Sequence, residues 1–223
     1  LCSTLNEELA AFVSHHYRVD SKLELEFEKL YRRFYLPRIR HAGGAGDAGE
    51  VRGRAKGYTG LPVRRDGTEE AVDIKGMEAI RSDWTTAAGE LQRELLHLLF
   101  RDATAGDVTG HLREYIRKLR DGELDAKLVY SRRLRKSVSS YTSSRPPHVQ
   151  AAVLLPPEER EGVIEYLITT EGPQPPSRRT APIDHDHYLE RQLKPIAAPI
   201  CEILGIEARE LFDSSQQLSL FQE

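Results

Sequence analysis

The spacing of apolar residues changes along this chain, and this change restricts the fold class more than any other feature. Leu23, Leu25 and Phe27 alternate with glutamates, which predicts a strand with one face towards water. From Ser82 onwards, apolar residues recur every three or four positions, which is the spacing of an amphipathic helix. The sequence therefore predicts an α+β fold, with a small antiparallel sheet and a helix followed by a mainly helical part.

The early part of the chain combines a helix with a hairpin. Apolar spacings of three and four predict a helix over 4–17, and "HAGGAGDAGE" is typical of a loop. The segments 51–63 and 69–76 are joined by "RRDGT", in which Asp66-Gly67 favours a hairpin turn. This part is expected to contain the antiparallel sheet.

The later part is expected to consist mainly of helices. Either Ser82 or Asp83 can cap the first of them, and Gly122 follows the predicted end of the second. Pro195 and Pro199 should bend or divide the last helix, because proline lacks the N–H that an inner turn requires. The predicted elements are helices over 82–99, 108–119, 146–155 and 185–204, a strand over 162–170 and a surface loop over 171–184.

The composition is that of a globular chain. Hydrophobic residues make up 39% and charged residues 30%, which allows a buried core. No apolar run reaches the roughly 20 residues of a membrane-spanning helix, so a soluble, intracellular protein is expected. Cys2 and Cys201 lie near opposite ends, which favours neither a disulfide framework nor a thiolate metal site. Because the chain opens with Leu1 and its single methionine is Met77, we expect a piece of a longer protein.

Positive charge is concentrated in two segments, although the net charge is −3. The segment 51–65 carries five Lys or Arg and no acid, and the segment 112–136 carries nine against four acids. Tyr58, Tyr115 and Tyr130 are interleaved with these cations. Such clusters often form only a solvated face, but cations interleaved with tyrosines also favour a phosphate-binding surface.

Two motifs in the first half of the chain resemble family B DNA polymerases. "KGYTG" is followed by a hairpin and then by "KGMEAIRSDW". In that family, a Lys-x-Tyr motif on a palm strand precedes a short hairpin and a Lys/Arg-Gly-x-Glu-x-x-Arg-x-Asp-Trp segment that opens the thumb. Downstream, "GELDAKLVYSRRLRKSVSSYTSSRPPHVQAA" and "DHDHYLERQLKPI" resemble the thumb and final helical region of the bacterial polymerase II branch. The residues that match the two motifs are Lys56, Tyr58, Lys75, Gly76, Glu78, Arg81, Asp83 and Trp84.

The resemblance implies a division of the chain and a set of partners. Residues 1–74 would be the C-terminal part of the palm, residues 75–213 the thumb, and residues 214–223 a flexible tail. The implied partners are primer–template duplex DNA, a sliding clamp and the remainder of the polymerase chain, with no membrane. The implied location is the bacterial cytoplasm, in association with the nucleoid.

Candidate DNA-binding residues lie on three segments. Lys56 and Tyr58 fall on one face of a strand, because side chains alternate with a period of two. Their alternative is a solvated lysine beside a half-buried tyrosine. The run 130–141 offers cations and hydroxyls of the kind that bind duplex backbone without reading the sequence. The candidates are Lys56, Tyr58, Lys75, Gly76, Arg81, Arg132, Arg133, Arg135, Lys136 and Tyr141.

The third segment is the predicted start of the first long helix. Lys75 and Arg81 flank it, and backbone N–H groups at a helix start attract anions. The alternative is an ion pair with Glu78 or Asp83, and we expect Arg81 to do both.

No catalytic residue and no metal ligand is expected in this chain. The resemblance implies two magnesium ions in the complete polymerase, but the family's Tyr-Gly-Asp-Thr-Asp motif is absent, so the chain alone should not polymerise. "DHDH" at 184–187 has the residue types of a metal site, yet Asp184 or Asp186 is more simply a helix cap. His148 is interpreted as a structural histidine.

The last ten residues end in an apolar cluster. The stretch Gln217, Leu218, Ser219, Leu220 and Phe221 resembles the bacterial clamp-binding peptide, whose glutamine is hydrogen-bonded and whose leucine and aromatic residue enter apolar pockets. The alternative is an end that folds back on its own domain.

Two other functions are compatible with the sequence. One is a stand-alone nucleic-acid-binding accessory subunit with a thumb-like fold. The other is a helical interaction protein whose basic patches are only solvated.

Overall fold

The computed structural model describes residues 1–37, 57–142 and 145–213. Its elements form two small sheets and a set of helices, which confirms the α+β class. The helices are α1 (Cys2–Tyr17), α2 (Thr86–Phe100), α3 (Ala105–Arg120), α4 (Pro147–Val153), α5 (His185–Tyr188), α6 (Lys194–Ile203) and α7 (Ala208–Asp213). The strands are β1 (Leu30–Tyr35), β2 (Tyr58–Val63), β3 (Asp73–Lys75), β4 (Tyr130–Arg133), β5 (Val163–Thr169) and β6 (Gly172–Gln174).

The first sheet has the order β1-β2-β3 and is antiparallel. The predicted hairpin is confirmed, since β2 and β3 pair and the turn between them contains Gly67 with φ of +84°. A left-handed φ favours glycine because it has no Cβ. The Gly67 N–H donates to the carbonyl oxygen of Arg64 at 2.9 Å, which closes the turn.

The strand predicted at Leu23, Leu25 and Phe27 is wrong. These residues lie outside every strand and are exposed, and the strand of this region begins only at Leu30. The side-chain amide of Asn6 on α1 donates to the Leu25 carbonyl and accepts from the Leu25 N–H, at 3.0 and 2.7 Å. A side chain therefore satisfies the backbone here, whereas β1 has β2 as its partner.

The two long helices are confirmed, but both begin at residues other than those predicted. Thr85 caps α2 by accepting from the Ala88 N–H at 3.3 Å, so neither Ser82 nor Asp83 is the cap. The α3 helix begins three residues earlier than predicted, because Thr104 and the residue at its third helical position form a reciprocal capping box. Gly122 follows the end of α3 with φ of +78°, as predicted.

A second antiparallel sheet, with the order β4-β5-β6, lies within the helical part. The strand β5 was predicted, but β4 and β6 were not. The segment 171–184 is therefore not only a surface loop. It contributes β6, and Gln174 at the end of this strand is buried, with its side-chain oxygen accepting from the N–H groups of Thr180 and Ala181 at 2.9 and 3.2 Å.

The last long helix is divided before Pro195, as predicted, whereas Pro199 lies inside α6 and does not divide it. A π-helical turn, Leu189–Leu193, separates α5 from α6. Pro195 has no N–H to donate to a carbonyl of the preceding turn, which accounts for the irregular turn just before it. The turn brings the buried side chain of Gln192 to the start of α2, where it accepts from the N–H and hydroxyl of Thr85 at 3.1 and 3.2 Å.

The core lies in the helical part of the chain. The helices α2, α3 and α6 pack against one another, and Leu91, Leu95, Leu112 and Leu119 are fully buried among them. No residue of α1 is buried. None of the described helices is both long enough and apolar enough to cross a membrane.

Replacement of a core leucine should measure how much the helical part depends on this packing. Leu91→Ala removes a side chain that is 0% exposed, and we expect the free energy of unfolding to fall by about 2–5 kcal/mol. Leu154→Ala is the matched control, because Leu154 is 49% exposed and its truncation leaves no cavity. Urea denaturation of both variants tests this, and equal destabilisation would contradict the assignment of the core.

Candidate nucleic-acid interface

The hairpin brings two candidate residues together. Tyr58 and Lys75 are directly opposed in the register of β2 and β3. Tyr58 is half-buried, with its ring centroid 5.3 Å from that of Phe34, whereas Lys75 is exposed. Lys56 lies outside the described residues, so its position on the same face as Tyr58 stays a prediction.

The carboxylate of Asp73 forms hydrogen bonds mainly with Tyr31 on β1 and with Lys29, the residue just before that strand. It accepts from the Lys29 ammonium at 2.7 Å and from the Tyr31 hydroxyl at 2.8 Å, and the Lys75 ammonium lies 3.8 Å away. The hydrogen bond from Lys29 is the main reason why the pKa of Asp73 is below its usual value. Lys75 thus holds only a long, exposed contact with this acid, which leaves its ammonium accessible to another anion.

The segment between Lys75 and Arg81 is not the start of the long helix. Gly76 has φ of +61°, and a single 3-10 turn, Glu78–Ile80, follows. The α2 helix begins only at Thr86. The expected anion site at a helix start between Lys75 and Arg81 is therefore not formed there, because three 3-10 residues align too few N–H groups.

Arg81 and Arg132 meet at one carboxylate. The Nε and Nη2 atoms of Arg81 donate to the two oxygens of Asp83 at 2.8 and 2.6 Å, a bidentate pair. Nη2 of Arg132 lies 3.9 Å from Oδ2 of the same carboxylate. Arg81, and secondarily Arg132, keep the pKa of Asp83 below its usual value, so this group is ionised at neutral pH. The alternative of an ion pair between Arg81 and Asp83 is confirmed.

The remaining cations of the basic run lie on β4 and in the segment that follows it. Arg133 is opposite Val163 in the sheet, and Arg133, Arg135 and Lys136 are all exposed. No carboxylate of residues 1–37, 57–142 or 145–213 lies within ion-pair distance of these three cations. Tyr141 is half-buried and meets His148 edge to face, with 6.5 Å between the ring centroids.

Some cations of α3 differ from those of β4, because nearby acids pair with them. Arg117 forms ion pairs with Glu114, Asp121 and Glu123, and the Lys118 ammonium lies 3.8 Å from Glu114. For these two cations the alternative interpretation of a solvated face applies. Arg113 and Arg120 are exposed as well, so accessible positive charge lies on α3 and also after residue 130.

A groove of about 720 Å³ runs beside the basic segment. Arg135, Lys136 and two further cations that the sequence analysis missed, Arg145 and Arg160, line it. The Arg160 guanidinium donates to the carbonyl oxygens of Leu155 and Val153 at 2.7 and 3.0 Å, so it also holds the groove wall together. Arg145 is exposed, and its position just before Pro146 and the start of α4 was the sequence signal available for it.

The histidines of this region have structural partners. Asp184 caps α5 by accepting from the His187 N–H at 2.9 Å, as predicted, and the His185 ring lies 2.7 Å from Asp125. Nε2 of His187 is 3.1 Å from the Tyr130 hydroxyl. Burial lowers the pKa of His187. Burial lowers the pKa of His148, and the positive charge of Arg132 lowers it further.

Within the described residues, no group of three or more His, Cys, Asp or Glu is placed to hold a metal ion.

Comparison with known proteins decides the family. The sequence profile described as DNA polymerase family B matches residues 53–204, which is more than half of the chain. The chain belongs to DNA polymerase family B. The resemblance found in its motifs is thereby confirmed.

Individual family B polymerases match almost the whole chain. It is 40% identical to DNA polymerase II of Escherichia coli, over 92% of this chain and 25% of that protein. It is 29% identical to DNA polymerase 2 of Aeropyrum pernix, over 96% and 25% respectively. The catalytic subunit of DNA polymerase delta from Bos taurus is 27% identical over 90% and 18%. The chain therefore spans about a quarter or less of the length of these relatives.

The half-buried His187 should make the stability of this chain sensitive to acid. Its folded-state pKa is below 6.5, so the unfolded chain takes up the proton first as the pH falls. The free energy of unfolding should decrease below about pH 6.5, by at most about 1.4 kcal/mol per pH unit for one histidine. His187→Gln, which keeps a polar partner for Tyr130, should weaken this dependence. Urea denaturation at about pH 7.5 and about pH 5.5 measures it, and an unchanged pH dependence would contradict the assignment.

Proposed function

We propose that this chain is the C-terminal palm part and the thumb of a family B DNA-directed DNA polymerase, and that it binds primer–template duplex DNA behind the active site. The observation that carries this proposal is the row of exposed cations from Arg132 to Lys136, beside the groove lined by Arg145. Membership of DNA polymerase family B supports it. The palm part corresponds to residues 1–74 and the thumb to residues 75–213.

The chemistry of this surface suits a protein that moves along DNA. Guanidinium and ammonium groups bind phosphates irrespective of base, and the hydroxyls of Ser137, Ser139 and Ser140 lie together next to Lys136. A polymerase must bind every sequence that it copies, so backbone contacts are useful and base-specific contacts would hinder movement. The expected contacts are therefore with duplex backbone.

Nucleotide transfer belongs to the complete polymerase. Stabilisation of the attacking and leaving oxygens by two magnesium ions is the chemistry expected there. The described residues offer no cluster of acids that fits these ions, so we propose that aspartates outside this chain hold them. The chain alone is then inactive in nucleotide transfer. Its role is to hold the duplex during replication or repair synthesis in the bacterial cytoplasm, at the nucleoid.

The remainder of the polymerase is the partner proposed for the first 37 residues. Apolar side chains on α1 and the segment after it are exposed, among them Phe12 at 50%, Leu23 at 64% and Phe27 at 63%. Exposed apolar side chains this numerous in one segment are typical of an interface. Contact with the rest of the palm would bury them.

The C-terminal tail is proposed to bind the sliding clamp. Residues 217–221 lie outside the described residues, so this proposal rests on their sequence. Burial of three apolar side chains contributes about 2 kcal/mol each, and ordering a free tail opposes it by several kcal/mol. Binding in the micromolar range or weaker is therefore expected, which suits a tether.

Duplex binding is tested by its salt dependence. If the chain contacts on the order of five phosphates, the log–log slope of affinity against salt should be about −4 to −5. Arg133→Ala combined with Arg135→Ala should reduce the size of this slope by about 1 to 2, because each lost phosphate contact releases one counterion fewer. Fluorescence anisotropy with a labelled primed duplex measures the slope.

The matched control removes the same charge elsewhere. Arg113 on α3 and Arg209 on α7 are exposed, and these two helices pack against each other and against α6. Replacement of both by alanine should leave the slope unchanged. Absence of salt-dependent binding in the wild-type chain, or an equal effect of the two double variants, would contradict the proposed interface.

Removal of the tail should affect binding to the clamp but not binding to the duplex. Deletion of residues 217–221 should abolish binding to the clamp and leave duplex affinity within about twofold, because the apolar residues of the tail carry clamp binding but no cation. Surface plasmon resonance with immobilised clamp and anisotropy with duplex measure the two affinities. Equal losses in both would indicate that the tail is part of the fold.

A further inference from the structure

Asp83 joins two arginines that belong to different parts of the fold. Arg81 lies in the segment between the 3-10 turn and α2, whereas Arg132 lies on β4, which pairs with β5. Oδ2 of Asp83 accepts from Nη2 of Arg81 at 2.6 Å and lies 3.9 Å from Nη2 of Arg132. One carboxylate oxygen therefore stands between two guanidinium groups.

The position of this oxygen is one that a phosphate can also take. Arginine binds carboxylates and phosphates with the same fork of parallel N–H groups. The three side chains are accessible from solvent, with exposed fractions of 44% for Arg81, 27% for Asp83 and 54% for Arg132. An incoming backbone phosphate would meet the two cations with an anion already between them.

The fold does not need Asp83 to hold these segments. The strand β4 is fixed by its pairing with β5. The segment before α2 is fixed by Ala79, whose N–H donates to the Gln92 side chain at 2.6 Å and whose carbonyl accepts from Arg93 at 2.7 Å. Other groups therefore fix the backbone of both segments, and the side chains that the Asp83 carboxylate contacts are the two arginines.

We propose that Asp83 is an internal competitor of the DNA phosphate at the Arg81–Arg132 pair. This rests on the proposed duplex-binding function and assigns to Asp83 the role of limiting how tightly the duplex is held. A surface that binds too tightly would oppose movement along DNA. Asp83 keeps the two guanidinium groups together when DNA is absent and weakens their contact with phosphate when DNA is present.

The test uses a variant that removes the charge and keeps the shape. Asp83→Asn should raise affinity for a primed duplex about two- to fivefold, the range expected for one exposed ion pair. The salt slope should become more negative by about 1, because one more phosphate is neutralised. Asp83→Ser also removes the charge and should act in the same way, which keeps the test decisive if Asp83→Asn does not fold.

Asp102→Asn is the matched control. Asp102 forms a bidentate pair with Arg33 on β1, at 2.5 Å for both contacts, so the substitution removes the same charge and one bidentate arginine pair, without the second arginine that Asp83 contacts. It should leave the duplex affinity and the salt slope unchanged. In an Arg132→Ala background, Asp83→Asn should raise affinity less than in the wild type, since one of the two guanidinium groups is missing.

The outcomes separate this inference from the proposed function. Suppose that the wild-type chain binds duplex with a steep salt dependence, but Asp83→Asn weakens binding or has the same effect on affinity as Asp102→Asn. The competitor role is then wrong and duplex binding stands. If the wild-type chain shows no salt-dependent duplex binding, the proposed function itself fails. Tighter binding with a steeper slope for the Asp83 variants alone supports the inference.

Discussion

The proposed DNA-binding surface depends on the anchoring of one buried aromatic residue, Tyr130. Its ring stacks on those of Tyr166 and Tyr188, at centroid distances of 5.2 and 5.5 Å, and its hydroxyl lies beside His187. Burial raises the pKa of Tyr130, so the ring remains neutral within the core. Because β4 begins at this buried residue, the start of the strand is fixed to the core. The next three residues are exposed, so the cations of Arg132 and Arg133 are held at the surface.

Much of the helical part could be predicted from the sequence, because helices carry their own periodic signal. The pattern of α2 and α3 is repeated over several turns, so each position supports the others. The strand β4 has only four residues, and three of them are exposed, so it shows no alternation. It exists because β5 pairs with it, and such a partner is visible only in the folded chain. For the opposite reason, the alternation of Leu23, Leu25 and Phe27 predicted a strand for which the described residues supply no partner.

The candidate site was predicted as a set of residues but not as an arrangement. The motifs identified Arg81 and the run after Tyr130, and the structure shows that Asp83 lies between Arg81 and Arg132. Sequence spacing could not choose between Glu78 and Asp83 as a partner of Arg81, because that choice depends on the 3-10 turn that replaces a helix start. Arg145 was missed because its only sequence signal, a position just before Pro146, does not reveal that the fold places it beside the groove.

The most direct test of the central claim is to ask which face of the chain touches DNA. A photoreactive amino acid can replace Ser131 on β4, which is exposed between Tyr130 and Arg132, and Ala105 at the start of α3, which is exposed on a helix that packs against α2, α6 and α7. After irradiation with a primed duplex, position 131 should form a cross-link that disappears as salt is raised, and position 105 should form none. Cross-linking from position 105 alone, or equally from both positions, would contradict the account.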